Sequence, residues 1–125
     1  MNECKQSPKS PEPFNWAAAT PKERRVYWVT KLRSGEYQQD QSVLRSEAGF
    51  CYLGVLCDIY DSSRWDEMRR FSFEGEAHDN WPPDALLDAV GLNPNDADAL
   101  ATANDAGVPF PVIADRIEFG EFTDW

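Results

Sequence analysis

The sequence predicts an α+β domain in which four or five short helices pack around a central apolar helix, with a small antiparallel β-sheet of two or three strands. Three observations predict it. The stretch Phe50-Cys51-Tyr52-Leu53-Gly54-Val55-Leu56-Cys57-Asp58-Ile59-Tyr60 is the most apolar of the chain. Leu53, Leu56, Cys57 and Tyr60 recur at helical spacing, and Val55 and Ile59 add a second stripe, so a helix here is apolar around most of its girth and belongs inside a domain. At about 10 residues it falls short of the roughly 20 that a bilayer crossing needs. Proline-led helix starts recur at Pro21, at Pro82-Pro83, at Pro94 and at Pro109-Phe110-Pro111, where a missing N–H costs nothing. Short apolar runs bounded by glycine supply the strands.

In chain order, residues 1–19 form an extended N-terminal arm, because Pro8, Pro11 and Pro13 lie among polar residues and favour extended backbone. A single globular domain covers 20–118. Thr20-Pro21-Lys22-Glu23 opens its first helix with a capping box and a proline at the first helical position. Val26, Trp28, Val29 and Leu32 face the core, and Gly35 ends the helix. Lys22, Arg24, Arg25, Lys31 and Arg33 make it the one basic helix. A solvated face, contact with the acidic half, or contact with an acidic partner accounts for them. Val43–Arg45 and Phe50–Tyr52 read as two strands around a four-residue turn with Gly49, and Phe71-Ser72-Phe73 as an edge strand before Glu74-Gly75-Glu76. Asn80 or Trp81 caps a helix that buries Leu86, Leu87 and Val90 and stops at Gly91. Asn93-Pro94 starts the next, with Ala97, Leu100, Ala101 and Asn104 inward and Gly107 closing it. Phe110, Ile113, Ala114 and Ile117 form the inner side of the last helix. Residues 119–125 are an aromatic and acidic tail, read either as a docking peptide or as folded back on the core.

With 125 residues and 14.2 kDa the chain buries roughly two thirds of its unfolded surface in one core. No apolar run preceded by basic residues opens it, which argues against a secretory signal. Three cysteines without a CxxC pair suit a reducing cytosol. The net charge of -10 is unevenly placed. Residues 1–70 carry eleven Lys and Arg against ten Asp and Glu, whereas residues 71–125 carry Arg116 alone against twelve carboxylates. Such a half repels phosphates and attracts cations, and it also serves solubility alone.

The string Leu32-Arg33-Ser34-Gly35-Glu36-Tyr37-Gln38-Gln39, the string Phe50-Cys51-Tyr52-Leu53-Gly54-Val55-Leu56-Cys57-Asp58, and Asn104-Asp105-Ala106-Gly107 followed by Phe110, Ile113-Ala114-Asp115 and Ile117-Glu118 carry a resemblance. In the order and spacing of these blocks, from about Trp28 to Glu118, the chain resembles a group of small uncharacterised proteins encoded by bacteriophages and prophages. The resemblance implies a phage origin and a life in the host cytoplasm. It carries no catalytic residue over.

Several constellations bear on chemistry. Helices joined through Gly107 have the outline of a helix-turn-helix, but Arg116 stands alone there against Asp96, Asp98, Asp105, Asp115 and Glu118, so a packed helical hairpin is expected instead. Cys51 at a helix start, where the dipole lowers a thiol pKa, and His78 could form a Cys-His pair; against it, free Cys in an apolar string is usually a small core residue. Cys4, Cys51, Cys57 and His78 lack zinc spacing, and Asp96, Asp98 and Asp105 miss the calcium-loop pattern. No phosphate-binding glycine loop is present. No cofactor or metal is expected.

The expectation is a non-catalytic, phage-encoded acidic interaction protein. Its partner is a bacterial host protein with a basic surface, a nucleic-acid-handling or anti-phage defence factor, inhibited through DNA-like charge mimicry. Neither nucleic acid nor membrane is bound directly. The partner-binding face is assigned to Glu74, Glu76, Asp79, Asp84, Asp88, Asp96, Asp98, Asp105, Asp115 and Glu118. A small cysteine-dependent enzyme using Cys51 and His78, or an accessory or structural phage protein, are the alternatives.

Overall fold

The computed structural model describes residues 14–120; the expectations for 1–13, with Cys4, and for 121–125 lie outside the described residues. Helix α1, Pro21–Arg33, opens on the predicted capping box. The Glu23 N–H donates to Thr20 Oγ1 at 3.1 Å and the Thr20 N–H to Glu23 Oε1 at 2.8 Å, satisfying two otherwise orphaned donors. Trp28, Val29 and Leu32 are buried, but Val26 is 55% exposed, against expectation. At about 100° per residue, Val26 lies about 60° beyond Val29 on the side away from Trp28, off the inward arc. Of the expected arm, Phe14 stacks on Tyr27 and Trp16 meets Tyr60 edge-on, so residues 14–19 lie against the domain.

Helix α2, Tyr52–Tyr60, is the predicted centre, with every residue from Tyr52 to Cys57 buried. Trp28 stacks on Tyr52 and its indole N–H donates to the Tyr52 carbonyl at 3.0 Å. The Tyr52 hydroxyl reaches the Ala97 carbonyl. Gly54 lies so close to the Leu44 carbonyl that a Cβ would collide with it.

The expected hairpin of 43–45 and 50–52 is replaced by isolated bridges of Phe50 to Gln39 and to Arg45. Cys51 already caps α2, so no strand can run past Phe50. Ser46 closes the turn, its hydroxyl accepting the Ala48 and Gly49 N–H groups at 3.0 Å. The loop is held by Asn104, a buried polar residue of α4 (Pro94–Asp105). Its Oδ1 accepts from Gln39 Nε2 at 3.1 Å and from the Tyr52 N–H at 3.2 Å, and its Nδ2 donates to the Asp40 carbonyl at 2.9 Å. Gln39 donates further to the Val108 carbonyl at 2.7 Å and accepts the Phe110 N–H at 2.9 Å. Asp58 similarly accepts the Tyr37 hydroxyl at 2.6 Å and the Trp65 N–H at 3.0 Å. Buried polar groups must be paired, and this set pairs its own members.

After a 3₁₀ turn at Ser62–Arg64 come β1 (Phe71–Phe73) and β2 (Glu76–His78), antiparallel, with Phe71 opposite His78 and Phe73 opposite Glu76. Glu74 and Gly75 connect them at φ 50° and 83°, the positive pair a type I′ turn needs. Helix α3, Asp84–Val90, is capped by neither Asn80 nor Trp81; Pro83 stands at its N-cap without a side-chain bond. Pro82 and Pro83 are both buried, and the extended backbone at Pro83, φ -57° and ψ 141°, delays the helix to Asp84. In α4 the Asn93 side chain accepts the Asp96 N–H at 2.9 Å, and Gly107 follows at φ 93°. Helix α5, Phe110–Phe119, buries Phe110, Ile113, Ala114 and Ile117 as predicted and packs on α1. Five α-helices and a two-stranded antiparallel sheet among the described residues make the α+β fold read from the sequence. None of these helices is long and apolar enough to cross a membrane.

Candidate functional site

Arg24 and Arg25 of α1 turn toward the body of the fold. Arg24 donates to the Trp16 carbonyl at 3.0 Å and to the Ala89 carbonyl at 2.9 Å, and Arg25 to the Val90 carbonyl at 2.7 Å. The Ala89 and Val90 carbonyls belong to the last turn of α3, unsatisfied within the helix and at the negative end of its dipole, so two guanidinium groups serve there as C-terminal caps. Arg33 forks between Asp115 and Glu118 of α5 at 2.6 Å each, and the hydrogen bonds to both carboxylates push its pKa up. Lys31 pairs with Glu36 at 3.2 Å. Contact with the acidic half, one of the readings open from the sequence, accounts for Arg33.

Of the ten carboxylates assigned to a partner face, all are exposed except half-buried Asp96. The structure sorts them. Asp115 and Glu118 hold Arg33, Asp105 accepts the Ser42 N–H at 2.8 Å, and Asp96 accepts from the Asn93 side-chain amide at 2.9 Å. Asp98 lies on the outer face of α4, and Asp79 follows β2, where its carbonyl accepts the Leu44 N–H at 2.9 Å. Glu74, Glu76 and Asp84 come together around one cleft of about 380 Å³ between the β1–β2 hairpin and the start of α3. Asp88 lies one turn beyond Asp84 on the exposed side of α3.

Phe73, His78, Trp81, Pro82, Pro83 and Ala85 complete the lining. Apart from His78, the candidate partner of Cys51, these residues were not among those assigned from the sequence. Trp81-Pro82-Pro83 signals a helix start, and nothing local reveals that the hairpin folds back beside it. His78 Nε2 lies 3.9 Å from Glu76 Oε1. Carboxylates at the rim and aromatic surface within suit a lysine or arginine side chain, attracted by charge and packed against a ring. The chain uses the same chemistry internally. The Arg45 guanidinium sits 5.2 Å from the Phe50 ring centre and 5.4 Å from that of Trp65, and Arg64 lies 5.7 Å from Tyr60 and 5.6 Å from Phe73.

Cys51 does cap α2, its Sγ accepting the Gly54 N–H at 3.4 Å, yet the expected lowering of its pKa is reversed. Burial outweighs the helix end and pushes the thiol up to about 11. Cys51 lines a small cavity of about 30 Å³ with Asn80, Asn104 and Asp105, whereas His78 lines the cleft. Cys57 is buried and its thiol is raised for the same reason. Among the described residues no group of three or more His, Cys, Asp or Glu could hold a metal ion.

The family described as a domain of unknown function (DUF8296) matches residues 21–88, from the start of α1 into α3 and across the whole hairpin. No curated protein and no solved structure matches the chain.

Proposed function

For this chain, which belongs to the DUF8296 family, we propose an acidic interaction protein that binds a cationic surface of a bacterial host protein through the hairpin and α3. One observation carries the reading: Glu74, Glu76 and Asp84 converge on an aromatic cleft and, among the described residues, no arginine pairs with them, while the arginines of α1 are held elsewhere in the fold. Glu74, Glu76, Asp79, Asp84 and Asp88 form the core of the face. Asp96, Asp98 and Asp105 extend it along α4, and Asp115 and Glu118 contribute least because Arg33 offsets them. A partner that handles nucleic acid, or a defence factor that senses it, presents lysine and arginine where phosphates dock, and spaced carboxylates compete for that surface. The resemblance to phage-encoded proteins supports the setting, the cytoplasm of an infected host, and an inhibitory role.

The test is capture from bacterial lysate by the immobilised protein at low and raised salt, beside the variant Glu74→Lys, Glu76→Lys and Asp84→Lys. An interface led by exposed charge weakens as salt rises and is lost on charge reversal. A partner retained equally by both proteins at both salt levels would overturn the reading.

A further inference from the structure

The tryptophans of this fold are engaged at their rings or their indole N–H groups, with one exception. Trp16 carries the Arg24 guanidinium 5.3 Å from its ring centre. Trp28 stacks on Tyr52 and donates to the Tyr52 carbonyl. Trp65 carries Arg45 at 5.4 Å and donates to Asp58 at 3.0 Å. Trp81 lines the cleft of the hairpin and α3, and among the described residues no ring or cation lies over it and no group accepts its indole N–H. The other aromatic wall is taken: Arg64, paired with Asp61 at 3.1 Å, sits 5.6 Å from the Phe73 ring centre. Trp81 is therefore the open ring of the cleft. Glu76 also keeps its acceptor oxygens, because His78 Nε2 at 3.9 Å is beyond hydrogen-bond reach.

We propose that this cleft receives one arginine side chain of the partner protein, its guanidinium flat on the Trp81 ring and its N–H groups directed to Glu76 and Asp84. The inference rests on the partner-binding reading and names the group that the cleft selects. Two features favour arginine over lysine. The acceptors stand on separate elements, β2 and α3, and a planar fork of donors serves separated carboxylates where a compact ammonium serves one point. The open surface is a ring face, on which a weakly hydrated guanidinium stacks. Trp16 and Trp65 already hold arginine in this way within the fold. At about 380 Å³ the cleft is of ligand-binding size.

Titration of the full chain with Nα-acetyl-arginine methylamide and, separately, Nα-acetyl-lysine methylamide at equal ionic strength tests it, read by the indole resonances. The arginine compound is expected to move the Trp81 signals, to leave those of Trp28 in place, and to bind at least about five-fold more tightly than the lysine compound. Trp81→Ala is expected to remove that preference. Glu76→Gln with Asp84→Asn leaves the ring and its packing intact and is expected to weaken the arginine compound about ten-fold. Equal binding of the two compounds, tighter binding of the lysine compound, or no movement at Trp81 would overturn the proposal. The two readings fail separately. Arginine-selective binding at Trp81 with no host protein captured supports the site and rejects the host partner. Capture that charge reversal abolishes but Trp81→Ala leaves unchanged rejects the arginine site and keeps the acidic face.

Discussion

The first helix and the hairpin edge are both charged, and they use charge in opposite ways. On α1 the guanidinium groups of Arg24, Arg25 and Arg33 close helix ends and hold α5. On the hairpin and α3 the carboxylates Glu74, Glu76 and Asp84 face a cleft, and among the described residues no arginine pairs with them. Net charge alone would have described the second region and misdescribed the first. What separates a structural charge from one available for recognition is whether the fold has already supplied its counterpart.

Four measurements separate the inward-held polar groups from the outward ones, ordered by their effect on stability. Asn104→Ala leaves the Tyr52 N–H and the Asp40 carbonyl without their buried partner and is expected to cost about 2–4 kcal/mol in chemical denaturation. Partner capture per folded molecule should stay unchanged. Next comes alkaline sensitivity. The Cys51 thiol is raised from 9.0 to about 11, so its contribution is complete below the unfolded value. It is lost as pH rises toward the folded one, by up to about 2–3 kcal/mol. Urea midpoints followed from pH 8 to 11 should therefore fall less in Cys51→Ser than in the parent chain. Arg33→Ala removes two ion pairs whose arginine side chain is 35% exposed, and solvent screening holds the loss to about 1 kcal/mol or less, shrinking with salt. The triple lysine substitution at Glu74, Glu76 and Asp84 should change stability by only about 0.5 kcal/mol in either direction while abolishing capture. A large destabilisation there would mean that the cleft carboxylates belong with the structural set.

Elements with local signals were legible in the sequence. The capping box at Thr20, the Asn93-Pro94 start, the apolar girth of α2 and the inner stripe of α5 each depend on residues within a turn or two, and each stands where periodicity placed it. What was not legible depends on distant partners. Val26 follows the apolar pattern of α1, but which arc faces inward is set by α2, α3 and α5. Phe50 has strand character, and α2 begins too soon for a strand to grow. The helix end at Cys51 was visible, whereas the burial that reverses its effect on the thiol comes from the packed core. For the site, the sequence gathered ten carboxylates by sign alone. Neither the arginine that offsets Asp115 and Glu118, 82 residues from Asp115, nor the aromatic cleft that unites Glu74, Glu76 and Asp84 leaves a trace in local spacing.

Asn104 sets an order of events for folding. Its bonds to Gln39 and Asp40 span 65 and 64 residues, a separation at which loop closure is slow. While the polypeptide is being made, the segment around residues 38–50 stays unsealed until α4 has emerged from the ribosome. Throughout that interval the greasy α2 is accessible to chaperones, and a stall in translation before codon 104 would deliver a product that cannot close.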